Sequence, residues 1–221
     1  MIEQEWRACR DPKGMFQSLG RRVSPRKIRL FAVACTRRVL HLLPDDKYRR
    51  ALDSAEQFAD GLAKRGEVKS WWKCLGHRSA GHAEMSVIFV LLACLEKNKE
   101  LKEYDPEWAV TAVEMAASTH WFAFWSRWRV RAEERAVQAA LLRDILGNPF
   151  NLVTLDPTWR TTSAVQLARS LYEERRFEDM PVLADALEEA GCKDAAVLGH
   201  CRGQGPHARG CWALDLLLGK E

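Results

Sequence analysis

The chain has 221 residues, 47% of them apolar, with 34 Lys plus Arg against 30 Asp plus Glu and a formal net charge of +4. A chain this long buries roughly 70% of the surface its unfolded form exposes, so it needs neither disulfide nor metal merely to fold. The charge excess is too mild to demand a polyanionic partner. The longest apolar run, Val87 to Leu95, is far shorter than the roughly 20 residues a bilayer requires, and Met1-Ile2-Glu3-Gln4-Glu5-Trp6 lacks the basic and apolar regions of a signal peptide. The expectation is a cytoplasmic protein with no membrane partner. Seven cysteines, an odd count, argue against an extracellular disulfide framework.

In chain order, the strongest periodic segment runs from Ser24 to Leu43, with Ser24 as cap and Pro25 in the first turn. At 100° per residue, Ile28, Phe31, Ala32, Cys35, Val39, Leu42 and Leu43 share one side, and Arg26, Lys27, Arg29, Arg37 and Arg38 share the other. Pro44-Asp45-Asp46 closes this helix and opens a second, which reaches about Asp60 and stops at Gly61. The glycine-broken stretch from Leu62 to Gly81, with Trp71-Trp72 inside it, predicts a short helix and loops. His82 to Asn98 reads as a buried helix, and Asp105-Pro106 begins helical patterning that lasts to Leu146 with a stripe through Trp121, Phe124 and Trp128. Within it, Arg129 to Arg135 is either exposed helix or a junction.

Gly147-Asn148-Pro149 stops this pattern, and 151–159 reads as an extended connection. Thr161 or Thr162 caps the next helix, Pro181 starts one that closes at Gly191, Asp194 to about Cys201 forms a short one, and Cys211 to Leu218 forms the last. No strand pair with a hairpin turn occurs, so the fold class is all-α, an irregular multi-helix bundle or a degenerate helical-repeat array. Helical patterning lapses longest after Gly147, which divides the chain into an N-terminal region, 1–147, and a C-terminal region, 148–221, packed on it as one compact unit.

Several motifs carry a resemblance. They are Glu5-Trp6-Arg7-Ala8-Cys9-Arg10-Asp11-Pro12, Arg29-Leu30-Phe31-Ala32, Gly147-Asn148-Pro149-Phe150 with Thr154-Leu155-Asp156-Pro157, and a tail of Leu183-Ala184-Asp185-Ala186-Leu187-Glu188-Glu189-Ala190-Gly191-Cys192 followed by Gly205-Pro206-His207-Ala208-Arg209-Gly210-Cys211-Trp212. With these, roughly half the chain resembles an uncharacterised family abundant in planctomycete bacteria. The tail is also similar to leucine-alanine-aspartate segments that accompany repeat proteins. The resemblance implies no activity, and an interaction role only by analogy.

Three groups of side chains carry candidate chemistry. From Pro12 to Pro44 there is no acidic residue, so Arg21, Arg22, Arg26, Lys27, Arg29, Arg37 and Arg38 form a nucleic-acid-binding candidate able to meet successive phosphates. The competing reading covers that face with Asp45, Asp46, Asp53 and Glu56 of the next helix. Trp71 and Trp72, beside Lys69, Lys73 and Arg78, are candidates for partner contact or base stacking. Trp121, Trp125 and Trp128 read as interhelical packing.

The tail holds Cys192, His200, Cys201, His207 and Cys211, thiolate and imidazole donors of the kind zinc takes. Their spacing matches no zinc module, and the preferred reading is a packed turn with no cofactor, zinc being the alternative. Gly203-Gln204-Gly205-Pro206 follows a helix rather than a strand, which disfavours a phosphate cradle. A Cys201/His207 or Cys211/His207 nucleophile pair lacks an orienting third group in the sequence.

Three function classes follow in order: a non-catalytic helical module that binds another protein, a nucleic-acid-associated accessory protein using the basic helix 24–43, and a zinc-binding or thiol-dependent enzyme.

Overall fold

The computed structural model describes residues 1–43, 45–75, 81–95 and 126–220. Among these there are eleven α-helices and no strand, so the fold is all-α. No helix among them is long and apolar enough to cross a membrane. The expectations placed on Arg78, Asp105-Pro106, Trp121 and Trp125, and on the side chains of Arg21 and Trp128, lie outside the described residues.

The chain forms two compact units. One comprises Met1 and Ala8–Ala139, the other Ile2–Arg7 and Ala140–Glu221. The division falls inside a helix rather than at Gly147, and it assigns six N-terminal residues to the C-terminal unit. Gly147 ends that helix's hydrogen bonding, whereas the units follow which backbone segments lie close together.

The N-terminal residues form α1 (Glu3–Ala8) and α2 (Pro12–Leu19). The first is too short for periodicity to show. The second was not among the expected helices, although Asp11-Pro12 carries its signal: the Asp11 carboxylate accepts the Lys13 and Gly14 N–H groups, and Pro12 sits in the first turn. In α3 (Pro25–Arg37), the Ser24 hydroxyl accepts the Lys27 N–H. This helix stops short of the expected Leu43, and Leu40–Leu42 tightens into a 3₁₀ turn. Leu43 is extended, as the residue before a proline is biased to be.

The helices α4 (Asp46–Ala59), α5 (Arg65–Leu75) and α6 (His82–Leu95) complete the described core of the first unit. Both α3 and α5 pack against α4 and α6. With α6 apolar on every side from Val87 to its end, Val87, Val90 and Leu91 are completely buried. Each such side chain contributes about 1.5–3 kcal/mol of transfer free energy. The long α7 (Ser126–Leu146) runs unbroken through Arg129 to Arg135, so no junction occurs there.

The second unit is built from the end of α7 together with α8 (Thr162–Glu174), α9 (Met180–Glu189), α10 (Ala195–Cys201) and α11 (Trp212–Leu218). Thr161 caps α8 and Asp194 caps α10 through their side-chain oxygens. Gly147, at φ 69°, ends α7 in the left-handed conformation that glycine adopts without cost. The core gathers Ala168, Leu171, Leu183, Leu187 and Leu214. Because α8 packs on both α9 and α11, and α10 on α9 and α11, the ends of α7, α10 and α11 are brought to one place.

Candidate metal site in the C-terminal unit

The basic helix is the first expectation to meet its surroundings. Arg26 pairs with Asp60 at 2.9 Å, and Arg37 with both Asp53 and Glu56. Arg38 embraces the Glu134 carboxylate with Nε and Nη2, each at 2.9 Å. Arg22 closes the end of α2, donating to the Leu19 and Ser18 carbonyls, and Lys27 is half-buried. Arg29 departs most from the outward position that helical projection gives it. It is 7% exposed, donates Nε–H to the Ala93 carbonyl and lies 5.2 Å from the Phe58 ring centroid. The physical reason is that α3 packs against two helices, so its buried arc is wider than its apolar stripe. Carboxylates of α4, of its C-cap Asp60 and of α7 thus already answer Arg26, Arg37 and Arg38. Trp71 and Trp72 are half-buried and pack against the core of the first unit.

In the second unit, Asp144, His200, His207 and Cys211 each place a ligand atom within 4.8 Å of the others'. Asp144 stands near the end of α7, His200 in the last turn of α10, and Cys211 at the N-cap of α11. His207 comes from the connection after Gly203-Gln204-Gly205-Pro206. His207 Nδ1 lies 2.7 Å from Asp144 Oδ1, and the Ala208 N–H donates to Asp144 Oδ2 at 2.9 Å. His200 Nε2 is 3.2 Å from Asp144 Oδ1 and 3.1 Å from Cys211 Sγ. The two imidazole rings meet edge to face with centroids 5.0 Å apart, and Trp212 lies against His200 at the same distance.

Burial sets the electrostatics. The side chains of Asp144 and His207 are 3% and 6% exposed, and Cys211 is completely buried. Burial pushes the Asp144 carboxyl up, but hydrogen bonds to His200 and His207, with the charge those rings can carry, outweigh it and hold the group below its ordinary value. The Cys211 thiol is driven well up, by burial first and by Asp144 second. His207 Nε2 is buried and makes no hydrogen bond. The His207 nitrogen that faces Asp144 is Nδ1.

The sequence-level set is therefore redrawn. His200, His207 and Cys211 come together, whereas Cys192 and Cys201 stay outside the cluster as core residues, 1% and 0% exposed. Burial pushes Cys201 up to about 12, as it also raises Cys211. Asp144 was not among the candidates. Its signal was a carboxylate on the same helical stripe as Ala140, Leu141 and Ile145. As a thiol-nucleophile arrangement the cluster is unfavourable. A single nitrogen, His200 Nε2, faces both the thiol and the carboxylate, where a relay needs the two ring nitrogens to divide those tasks. The arrangement has the donor types of a transition-metal site. Comparison with family models, with curated proteins and with solved structures finds no match to this chain.

Proposed function

We propose that this chain is a non-catalytic helical module whose C-terminal unit is fastened by a zinc ion and which acts by binding another protein. The observation that carries the reading is the convergence of one carboxylate, two imidazoles and one thiol within 4.8 Å. In a tetrahedral zinc site, with Zn–N near 2.0–2.1 Å and Zn–S near 2.3 Å, neighbouring donors stand about 3.3–3.6 Å apart, so small side-chain shifts suffice. Sulfur and imidazole select zinc over magnesium or calcium, which take all-oxygen sets. Four protein donors fill a tetrahedron and leave no position for substrate, which makes the ion a fastener.

All seven cysteines are free thiols, consistent with a reducing, cytoplasmic setting that keeps Cys211 available. For the partner, the second unit offers Ile2 at 61%, Phe150 at 42% and Leu152 at 79% exposure, large apolar side chains suited to an interface.

The test is elemental analysis of protein purified without affinity metals or chelators, followed by cobalt substitution. One zinc per chain is expected, with cobalt giving the absorption of a tetrahedral thiolate site, and both lost in the double variant His207→Ala, Cys211→Ser. Protein that carries no zinc and takes up none overturns the reading.

A further inference from the structure

We propose that Trp6 is a positioning residue of this site, and that the seating of α1 on the turn after α7 is coupled to occupancy of the site by metal; the inference rests on the zinc reading above. The starting fact is that Ile2–Arg7 belongs with residues from the other end of the sequence. A six-residue helix has no stability of its own in water, so α1 holds its form through what it docks on.

That dock is the turn carrying Asp144. The Trp6 indole N–H donates to the Gly147 carbonyl at 3.2 Å, Arg143 donates back to the Trp6 carbonyl at 3.2 Å, and Asn148 donates to the Glu3 carboxylate at 2.7 Å. Trp6 is 1% exposed, so the seat is closed to water. Gly147 is also in contact with the metal-site side. A Cβ placed on it would stand 3.1 Å from Trp212 Cγ, and Trp212 follows Cys211 directly and packs on the His200 ring. The last turn of α7 and the residues that follow it, 144–148, are thus held through Gly147 by Trp6 and by Trp212, and they carry the ligand Asp144 itself.

Releasing Trp6 takes the indole N–H from the Gly147 carbonyl and one hydrogen bond from Arg143, and loosens the end of α7 that aims Asp144. Gathering the donors on a metal has the opposite effect, holding the turn and Trp212 in the arrangement Trp6 recognises. Binding linkage makes this reciprocal: whatever factor the strap contributes to metal affinity, the metal returns to the seating of the strap. Because Trp6 packs against Phe150 at 6.5 Å between ring centroids, seating also settles how Ile2 and Phe150 are presented to a partner.

The experiment measures zinc affinity by chelator competition for the wild type, Trp6→Phe, Trp6→Ala and Leu187→Ala, and amide exchange of residues 3–8 with and without zinc. Affinity is expected to fall about tenfold in Trp6→Ala, a size typical of site-to-site coupling. Trp6→Phe, which keeps an aromatic ring and loses the N–H, falls between. Leu187→Ala removes core packing away from the strap, so it lowers stability with affinity unchanged. Zinc should slow exchange at Trp6 and its neighbours in the wild type, a readout that stands even where Trp6→Ala fails to fold. A wild type that binds zinc with no change in exchange at residues 3–8 overturns the coupling and leaves the zinc reading intact, as does a folded Trp6→Ala with wild-type affinity. A wild type that binds no zinc overturns both.

Discussion

Glu134 and Asp144 lie on the same helix, α7, and are both buried, at 6% and 3% exposure, yet the two units of the protein answer them differently. Glu134 meets Arg38 in a two-nitrogen embrace, with Gln138 adding a further hydrogen bond. That carboxylate has a permanent cation and its geometry is complete. Asp144 meets two imidazoles and a backbone N–H, and around it remain an unpartnered His207 nitrogen and a buried thiol. A charge answered by guanidinium is finished by the chain itself, whereas one set among imidazole and thiol groups has the donor set that the proposed zinc would take.

This contrast breaks if zinc leaves the second unit unchanged. Zinc at a thousandfold excess over its dissociation constant is expected to add about 4 kcal/mol to the unfolding free energy, seen as amide protection gained in 140–218 and reversed by a chelator. Protection gained equally around Glu134 would erase the distinction between the two carboxylates. Next in size, Asp144→Asn removes the central charge and should weaken zinc binding about a hundredfold, or about 2.7 kcal/mol, by chelator competition. Arg38→Ala leaves Glu134 buried without its cation and should cost about 2 kcal/mol in denaturant unfolding, below the usual figure for a fully buried pair because the Arg38 side chain is 35% exposed. Arg38→Lys should recover only part of this, since an ammonium has no fork, and zinc affinity should not move in either variant.

Gly147→Ala combines a left-handed φ with a 3.1 Å approach to Trp212. It should cost about 1–2 kcal/mol of stability and, unlike the Arg38 variants, weaken zinc binding.

The smallest effect expected is that of Tyr48→Phe. The Tyr48 hydroxyl donates to Glu84 at 2.7 Å and the Gly81 N–H at 2.8 Å, and with the tyrosine bond as the main cause the Glu84 carboxyl is lowered. A lowered carboxylate contributes stability that is full above the ordinary glutamate pKa, about 4.3, and fades as pH falls through the lowered value. Tyr48→Phe should therefore cost up to about 1 kcal/mol near neutral pH, with the gap from wild type closing in acid. A gap that widens in acid contradicts the assignment.

Most helices were legible because their signals are local. Ser24-Pro25, Asp45, Thr161 and Asp194 are caps whose oxygens reach N–H groups two or three residues on, and those bonds form in the structure. The stop at Leu43 was misplaced, since α3 ends at Arg37 and gives way to a 3₁₀ turn; α2 was passed over despite its Asp11-Pro12 signal, and α1 was missed because its six residues owe their helical form to a distant dock. At the site, all five tail candidates were readable as metal-donor types and three of them come together, but the spacing could not tell His200, His207 and Cys211 from Cys192 and Cys201. That choice depends on which way each short helix turns its side chains.

By itself, then, the sequence determined an all-α chain, the caps and stops of most of its helices, and the donor chemistry concentrated in its tail, because backbone propensity and side-chain type act within a few residues. Only the tertiary structure decided that Arg29 is buried, that Asp53, Glu56, Asp60 and Glu134 answer the arginines of α3, and that Asp144 joins a histidine pair and a cysteine with Trp6 docked beside them. Those outcomes turn on partners 16 to 141 residues away in the chain, and no local pattern records which distant side chain will arrive to satisfy a buried charge.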